Sequence, residues 1–177
     1  KLLNDLIRII SSCKILGIKY IVVPLVDNGS ITNKHDENNL LKSCKYVLKY
    51  LKDSKVKLIF ESDFTPQKLK KFIKKFDKRY FGINYDVGNR AGLNYKIDDE
   101  FRFYGKYICN VHIKDRIKYS KTVRMGNGNE NFLKLFKNLK KIKYNQPLIF
   151  QTARSKNNRH IEEIQINLNY LKKIHNA

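Results

Sequence analysis

The sequence has no tryptophan, one methionine, three prolines and three alanines in 177 residues, and only 16 acidic residues against 37 Lys and Arg. Its three cysteines, Cys13, Cys44 and Cys109, show no CxxC spacing and too little sulfur for a disulfide framework. Cys13 and Cys44 fall on apolar helix faces and Cys109 inside a strand-like run, so buried free thiols in a reducing cytoplasm are expected. No apolar run approaches the roughly 20 residues of a membrane span, and no signal-peptide pattern is visible. Neither GxGxxG nor GxxxxGK[ST] opens any helix-like segment, which argues against dinucleotide and P-loop nucleotide binding. There is no low-complexity linker.

Cationic charge is abundant. A formal net charge of +21 first suggests nucleic acid. Lys outnumbers Arg 29 to 8, however, whereas phosphate and base readout favour the Arg fork. The lysines also sit on the outer faces of helical patterns. In "PQKLKKFIKKFD" the inward stripe is Leu69, Phe72, Ile73 and Phe76. The 20 Ile and 19 Asn fit the codon bias of an AT-rich genome. A solvated basic face is the preferred reading, with steering of an anionic substrate as the alternative and a nucleic-acid partner disfavoured.

Helix-like and strand-like segments alternate along the chain. Apolar positions Leu2, Leu6, Ile9, Ile10, Cys13 and Leu16 predict a helix over 2–16. It begins without Met or a cap, in mid-pattern, so an N-terminal part is expected to be missing. Strands are predicted at 18–25, 55–61, 79–86, 106–115 and 146–151. Helices are predicted at 37–52, 66–77, 98–104, 130–142 and 159–174. Thr65-Pro66 supplies an N-cap and a proline at the first helical position. Five strand–helix units of this kind predict a parallel α/β fold, either an open doubly wound sheet or part of a (β/α)8 barrel.

The strand ends carry the chemistry. Glu61 ends the second strand, Asp86 the third and Gln151 the fifth, while His112 lies in the fourth. Each has an ordinary structural alternative: a helix cap for Glu61, an Asx-turn for Asp86, a satisfied core histidine for His112, and backbone satisfaction for Gln151. Their joint occurrence at four consecutive strand ends favours a site. In a barrel they would converge at the C-terminal face, where catalytic groups gather. Two carboxylates, an imidazole and an amide oxygen suit one divalent ion, Mn²⁺, Mg²⁺, Co²⁺ or Zn²⁺.

The segments "IFESDFTP", "NYDVGNRAG", "NVHIKDR", "RMGNGNENF" and "LIFQTAR", in this order and spacing, resemble the second half of the sugar phosphate isomerase/epimerase superfamily, whose members are xylose isomerase-like TIM barrels. The resemblance runs from about residue 16 to residue 154. It implies that residues 1–177 form a single domain, the C-terminal portion of a (β/α)8 TIM barrel holding about strands four to eight. It also implies a metal at Glu61, Asp86, His112 and Gln151, and a metal-dependent sugar or sugar-phosphate isomerase or epimerase working by proton abstraction next to a carbonyl, with Glu61 as the base.

Two departures from the family pattern matter. Gln151 stands where relatives usually have Glu, and an amide cannot accept or return a proton at neutral pH. A symmetric two-base epimerisation is thereby disfavoured, leaving one-base isomerisation or, as runner-up, a lyase-type dehydration of a keto-polyol. Asn89 stands where many relatives have His. Only one of the four histidines, His112, lies at a strand end, which disfavours the trinuclear nuclease relatives.

Asn89, Lys114 and Arg154 are the expected substrate contacts. Lys114 would reach a substrate oxygen or else pair with Asp115, and Arg154 would clamp a phosphate or carboxylate. "GNGN" (126–129) offers backbone N–H groups to an anion or forms a tight loop. The expected partner is a small sugar or sugar phosphate in the cytoplasm, with no membrane. Self-association into a homo-oligomer stays open, as does a non-catalytic carbohydrate-binding barrel.

Overall fold

The computed structural model describes residues 2–155 and 157–175. Five parallel strands alternate with helices: β1 (Tyr20–Leu25), β2 (Lys57–Ser62), β3 (Phe81–Asp86), β4 (Ile108–Ile113) and, after two short strands, β7 (Leu148–Phe150). The short strands are β5 (Asp115–Arg116) and β6 (Thr122–Val123), an antiparallel pair in the segment expected to be a loop. The helices are α1 (Leu2–Leu16), α2 (Lys34–Ser54), α3 (Pro66–Ile73), α4 (Val87–Gly92), α5 (Ile97–Tyr104), α6 (Phe132–Lys141) and α7 (His160–His175). No helix among the described residues is long and apolar enough to cross a membrane. The chain divides into two compact units, residues 1–63 with 71–83 and residues 64–70 with 84–177, so that α3 and β3 each contribute to both.

In the first unit the strand order is β1-β2-β3, all parallel. β2 is buried along almost its whole length, as a strand covered on both faces must be. Pro24 is tolerated in β1 because that strand lies at the sheet edge, where a missing N–H breaks no ladder. The core is built on Phe60. Its ring meets Phe72 edge-on at 5.3 Å and stacks on Phe81 at 6.1 Å, while Phe76 closes on Phe81 at 4.9 Å. Rings so placed contribute about 0.5–1.5 kcal/mol per pair beyond their buried area. Lys71, Lys74 and Lys75 face water, as a solvated basic face requires. In α2, Asn33 caps the first turn by accepting from the Asp36 N–H at 2.9 Å. The α1 stripe is only partly covered: Ile10 and Cys13 are buried, whereas Leu2 and Leu16 are exposed. Its neighbour in this unit is α2.

In the second unit the strand order is β3-β4-β7, again parallel. Thr65 caps α3 through its side chain on the Lys68 N–H (3.4 Å). The segment "VGNRAG", expected as loop, is the short helix α4, which Asp86 starts by accepting the Asn89 N–H at 2.8 Å. Beneath α4 lies a buried polar cluster. Glu100 accepts from Arg90 Nε, from Tyr104 Oη at 2.6 Å and from Tyr85 Oη at 2.8 Å.

The "GNGN" N–H groups do find an anion, and it belongs to the protein. Asp115 accepts from the backbone N–H of Gly126 and Gly128 (2.9 Å each), Glu130 (3.1 Å) and Arg116 (2.8 Å). A Cβ at Gly128 would stand 2.1 Å from Asp115 Oδ1, so only glycine lets the loop close on the carboxylate.

Glu130, at the end of this loop, has a buried Oε1 without a hydrogen-bond partner. Burial, with the Glu100 and Asp115 carboxylates adding to it, pushes its pKa up to about 8. From about 4.5 to about 8 the folded chain therefore holds a proton that the unfolded chain has lost. This contribution to stability is complete below the unfolded value and is lost as pH rises through the folded one. Glu130→Gln is expected to flatten that slope and to be the more stable protein at pH 8.5, by about 1–3 kcal/mol. Urea midpoints at pH 5 and pH 8.5 check it; parallel slopes in the two proteins would contradict it.

Candidate functional site

Period-two geometry places the site on the second unit. Asn84 and Asp86 share one face of β3, and Asn110 and His112 share one face of β4. Asp86 is 1% exposed and uses its two oxygens differently. Oδ1 caps α4, while Oδ2 lies 2.9 Å from Lys114 Nζ and 3.9 Å from His112 Nδ1. His112 is held from behind. Its Nδ1 meets Asn84 Nδ2 at 3.1 Å, and Asn84 Oδ1 accepts from Asn110 Nδ2 at 2.7 Å. This amide relay fixes the ring's rotation about its χ angles. Sequence reasoning passed over Asn84 and Asn110, although their i, i+2 spacing from Asp86 and His112 was the available signal.

Lys114 corrects one expectation. It does not pair with Asp115, whose carboxylate the loop N–H groups occupy. Its ammonium bridges Asp86 Oδ2 and Gln151 Oε1, the latter also at 2.9 Å. Gln151 follows β7, continues the ladder by donating its N–H to the Ile113 carbonyl (3.1 Å), and leaves its side chain half in solvent on Lys114. Asn89 Oδ1 accepts from Arg116 Nη1 at 3.1 Å, so part of its hydrogen-bonding capacity is taken up inside the protein.

Arg154 is exposed and lines a groove of about 740 Å³ with Lys121, Arg124 and Arg159. Arg124 is held by both oxygens of Glu163 at 2.7 Å, whereas no carboxylate pairs with Arg154 among the described residues. Glu61, in the first unit, is the penultimate residue of β2 and 8% exposed.

A carboxylate oxygen, an imidazole nitrogen and an amide oxygen, the donors of Asp86, His112 and Gln151, are types that a divalent ion of borderline hardness accepts. Two ligands of a single ion with bonds of about 2.1 Å stand about 3–3.5 Å apart. The separation of 3.9 Å from Asp86 Oδ2 to His112 Nδ1 is a little wider, that nitrogen meets Asn84 Nδ2, and an ammonium holds the same carboxylate oxygen.

Residues 1–174 match the xylose isomerase-like TIM barrel family, and the chain belongs to it. A curated relative, an uncharacterised protein of Methanocaldococcus jannaschii, is 32% identical over 83 residues, which cover 45% of this chain and 28% of the relative.

Solved structures share the fold. A xylose isomerase domain protein from Planctomyces limnophilus superposes with a TM-score of 0.83 at 18% identity, covering 97% of this chain and 65% of that one. The IOLI protein, whose structure holds a zinc atom, gives 0.79 at 18% identity, covering 97% and 68%. D-psicose 3-epimerase from Clostridium cellulolyticum H10, solved with D-tagatose, gives 0.74 at 15% identity, covering 98% and 70%. The chain thus spans just under two thirds of the first of these structures, and the matched stretch spans just over a quarter of the curated relative.

Proposed function

We propose that this chain carries the catalytic residues of a metal-dependent sugar or sugar-phosphate isomerase or epimerase-type enzyme that abstracts a proton next to a carbonyl. The observation that supports this best is the placement of Asp86 Oδ2 3.9 Å from the His112 ring at neighbouring strand ends, in a family whose structural neighbours include a D-psicose 3-epimerase. In this reading Glu61, Asp86, His112 and Gln151 hold one ion of Mn²⁺, Mg²⁺, Co²⁺ or Zn²⁺. Such an ion, when bound, polarises the substrate oxygens beside the carbon that loses its proton.

The chain's own groups do the rest. Glu61 takes the proton and, as the one carboxylate able to do so, returns it. Gln151 orients and cannot titrate. That asymmetry favours isomerisation with a single shuttling base over two-base epimerisation. The neighbours lend no support to the dehydratase alternative. Asn89 contacts a substrate hydroxyl, and the Arg154 fork takes a phosphate or carboxylate. A reducing cytoplasm suits the three free thiols.

Equilibrium dialysis of the full chain against Mn²⁺ tests the metal. About one ion per chain is expected, and Asp86→Asn, which keeps the α4 cap, is expected to weaken binding at least about 100-fold. Absence of binding by the native chain, or unchanged binding by the variant, would sink the reading.

A further inference from the structure

Lys114 is built into the site. It is only 8% exposed, although lysine seldom goes under unless paired. Its stem crosses the first turn of α4, where residue 88 is glycine. A Cβ there would stand 2.5 Å from Lys114 Cγ and 3.2 Å from its Cε. Glycine at 88 is therefore what admits this lysine conformer. At its tip the ammonium meets two of the oxygens assigned above to the ion, Asp86 Oδ2 and Gln151 Oε1, at 2.9 Å each. The Asp86 side chain is closed to solvent. An ionised carboxylate so placed needs a cation, and without an ion Lys114 is that cation. Gln151 completes the arrangement, because a neutral amide oxygen accepts equally well from an ammonium or from a metal.

A divalent ion on Asp86 Oδ2 would stand beside the ammonium, and the repulsion between two cations on one oxygen favours one occupant over both. We infer that Lys114 is a tethered counter-ion that competes with the divalent ion for Asp86 Oδ2 and Gln151 Oε1, and that its side chain leaves them when the ion binds. The inference rests on the metal reading above and adds a property to it. The protein stays charge-balanced without its ion, and the ion binds more weakly than its ligands alone would allow. Once displaced, the ammonium is set free within a side-chain's reach of the site, available to a substrate oxygen.

Mn²⁺ titration of the full chain, followed by calorimetry, tests this with two variants. Lys114→Met keeps the stem and removes the charge. Gly88→Ala keeps the charge and pushes the stem off α4. Both are expected to bind Mn²⁺ at least tenfold more tightly than the native chain. In the native chain, labelling of Lys114 by an amine-reactive reagent, read by mass spectrometry, is expected to rise several-fold when Mn²⁺ is added. If the native chain binds Mn²⁺ while both variants bind equally or more weakly, and Lys114 stays protected, the competition is overturned and the metal reading stands. If none of the three proteins binds Mn²⁺, the metal reading fails and the competition with it.

Discussion

Glu61→Gln is expected to lower the rate at which solvent deuterium enters a ketose substrate by about 10²–10⁴-fold. The change is nearly isosteric and leaves an oxygen donor in place. What it removes is the only feature of this side chain that a proton transfer requires, a carboxylate that can be protonated and deprotonated. Glu61 stands at the C-terminal end of β2, buried, where strand geometry fixes its backbone more firmly than a loop would. Because Gln151 cannot act as a second base, no other carboxylate of the proposed set is placed to take over the role. A wash-in rate within a few-fold of the native one, with substrate still bound, would remove Glu61 from catalysis.

The largest loss of stability is expected from Glu100→Ala. Glu100 and Arg90 are both buried, and the guanidinium also lies over the Tyr95 and Tyr104 rings at 4.5 and 5.7 Å. Removing the carboxylate leaves a buried cation without its anion and two buried tyrosine hydroxyls, Tyr85 and Tyr104, without their acceptor. Breaking a buried pair on one side costs about 3–5 kcal/mol, a large share of the 5–15 kcal/mol that typically holds a domain folded. The effect reaches the site as well, because Arg90 anchors the same helix, α4, that Asp86 caps. Glu100→Gln, which keeps an acceptor, is expected to cost less. Urea unfolding of the three proteins measures the difference, and a loss under about 1 kcal/mol in Glu100→Ala would contradict it.

Much of this was legible in the residues. The apolar period placed α1 at its observed bounds, and Thr65-Pro66 marked the start of α3, because those signals are local. Asp86 and His112 stood out because strands deliver side chains at fixed positions, so a polar residue at or near the end of an apolar run is conspicuous. What escaped depends on contacts far apart in sequence. "VGNRAG" reads as loop by propensity, and becomes helix because Asp86 caps it and Arg90 is pinned by Glu100. The "GNGN" segment stayed open between an anion cradle and a tight loop, and it is a loop closed on Asp115, eleven to thirteen residues upstream of Gly126 and Gly128. The bridge from Lys114 to Gln151 spans 37 residues and brings together two strand ends that no local pattern relates.

The central claim is that these residues serve proton transfer at a carbon next to a carbonyl. Its most direct measurement is proton NMR of a panel of ketoses and ketose phosphates incubated in D₂O with the full chain and Mn²⁺. The account predicts loss of the signal at one carbon adjacent to the carbonyl of at least one sugar, with Glu61→Gln leaving that signal intact. Sugars that bind to the native chain yet keep every carbon-bound proton would contradict it.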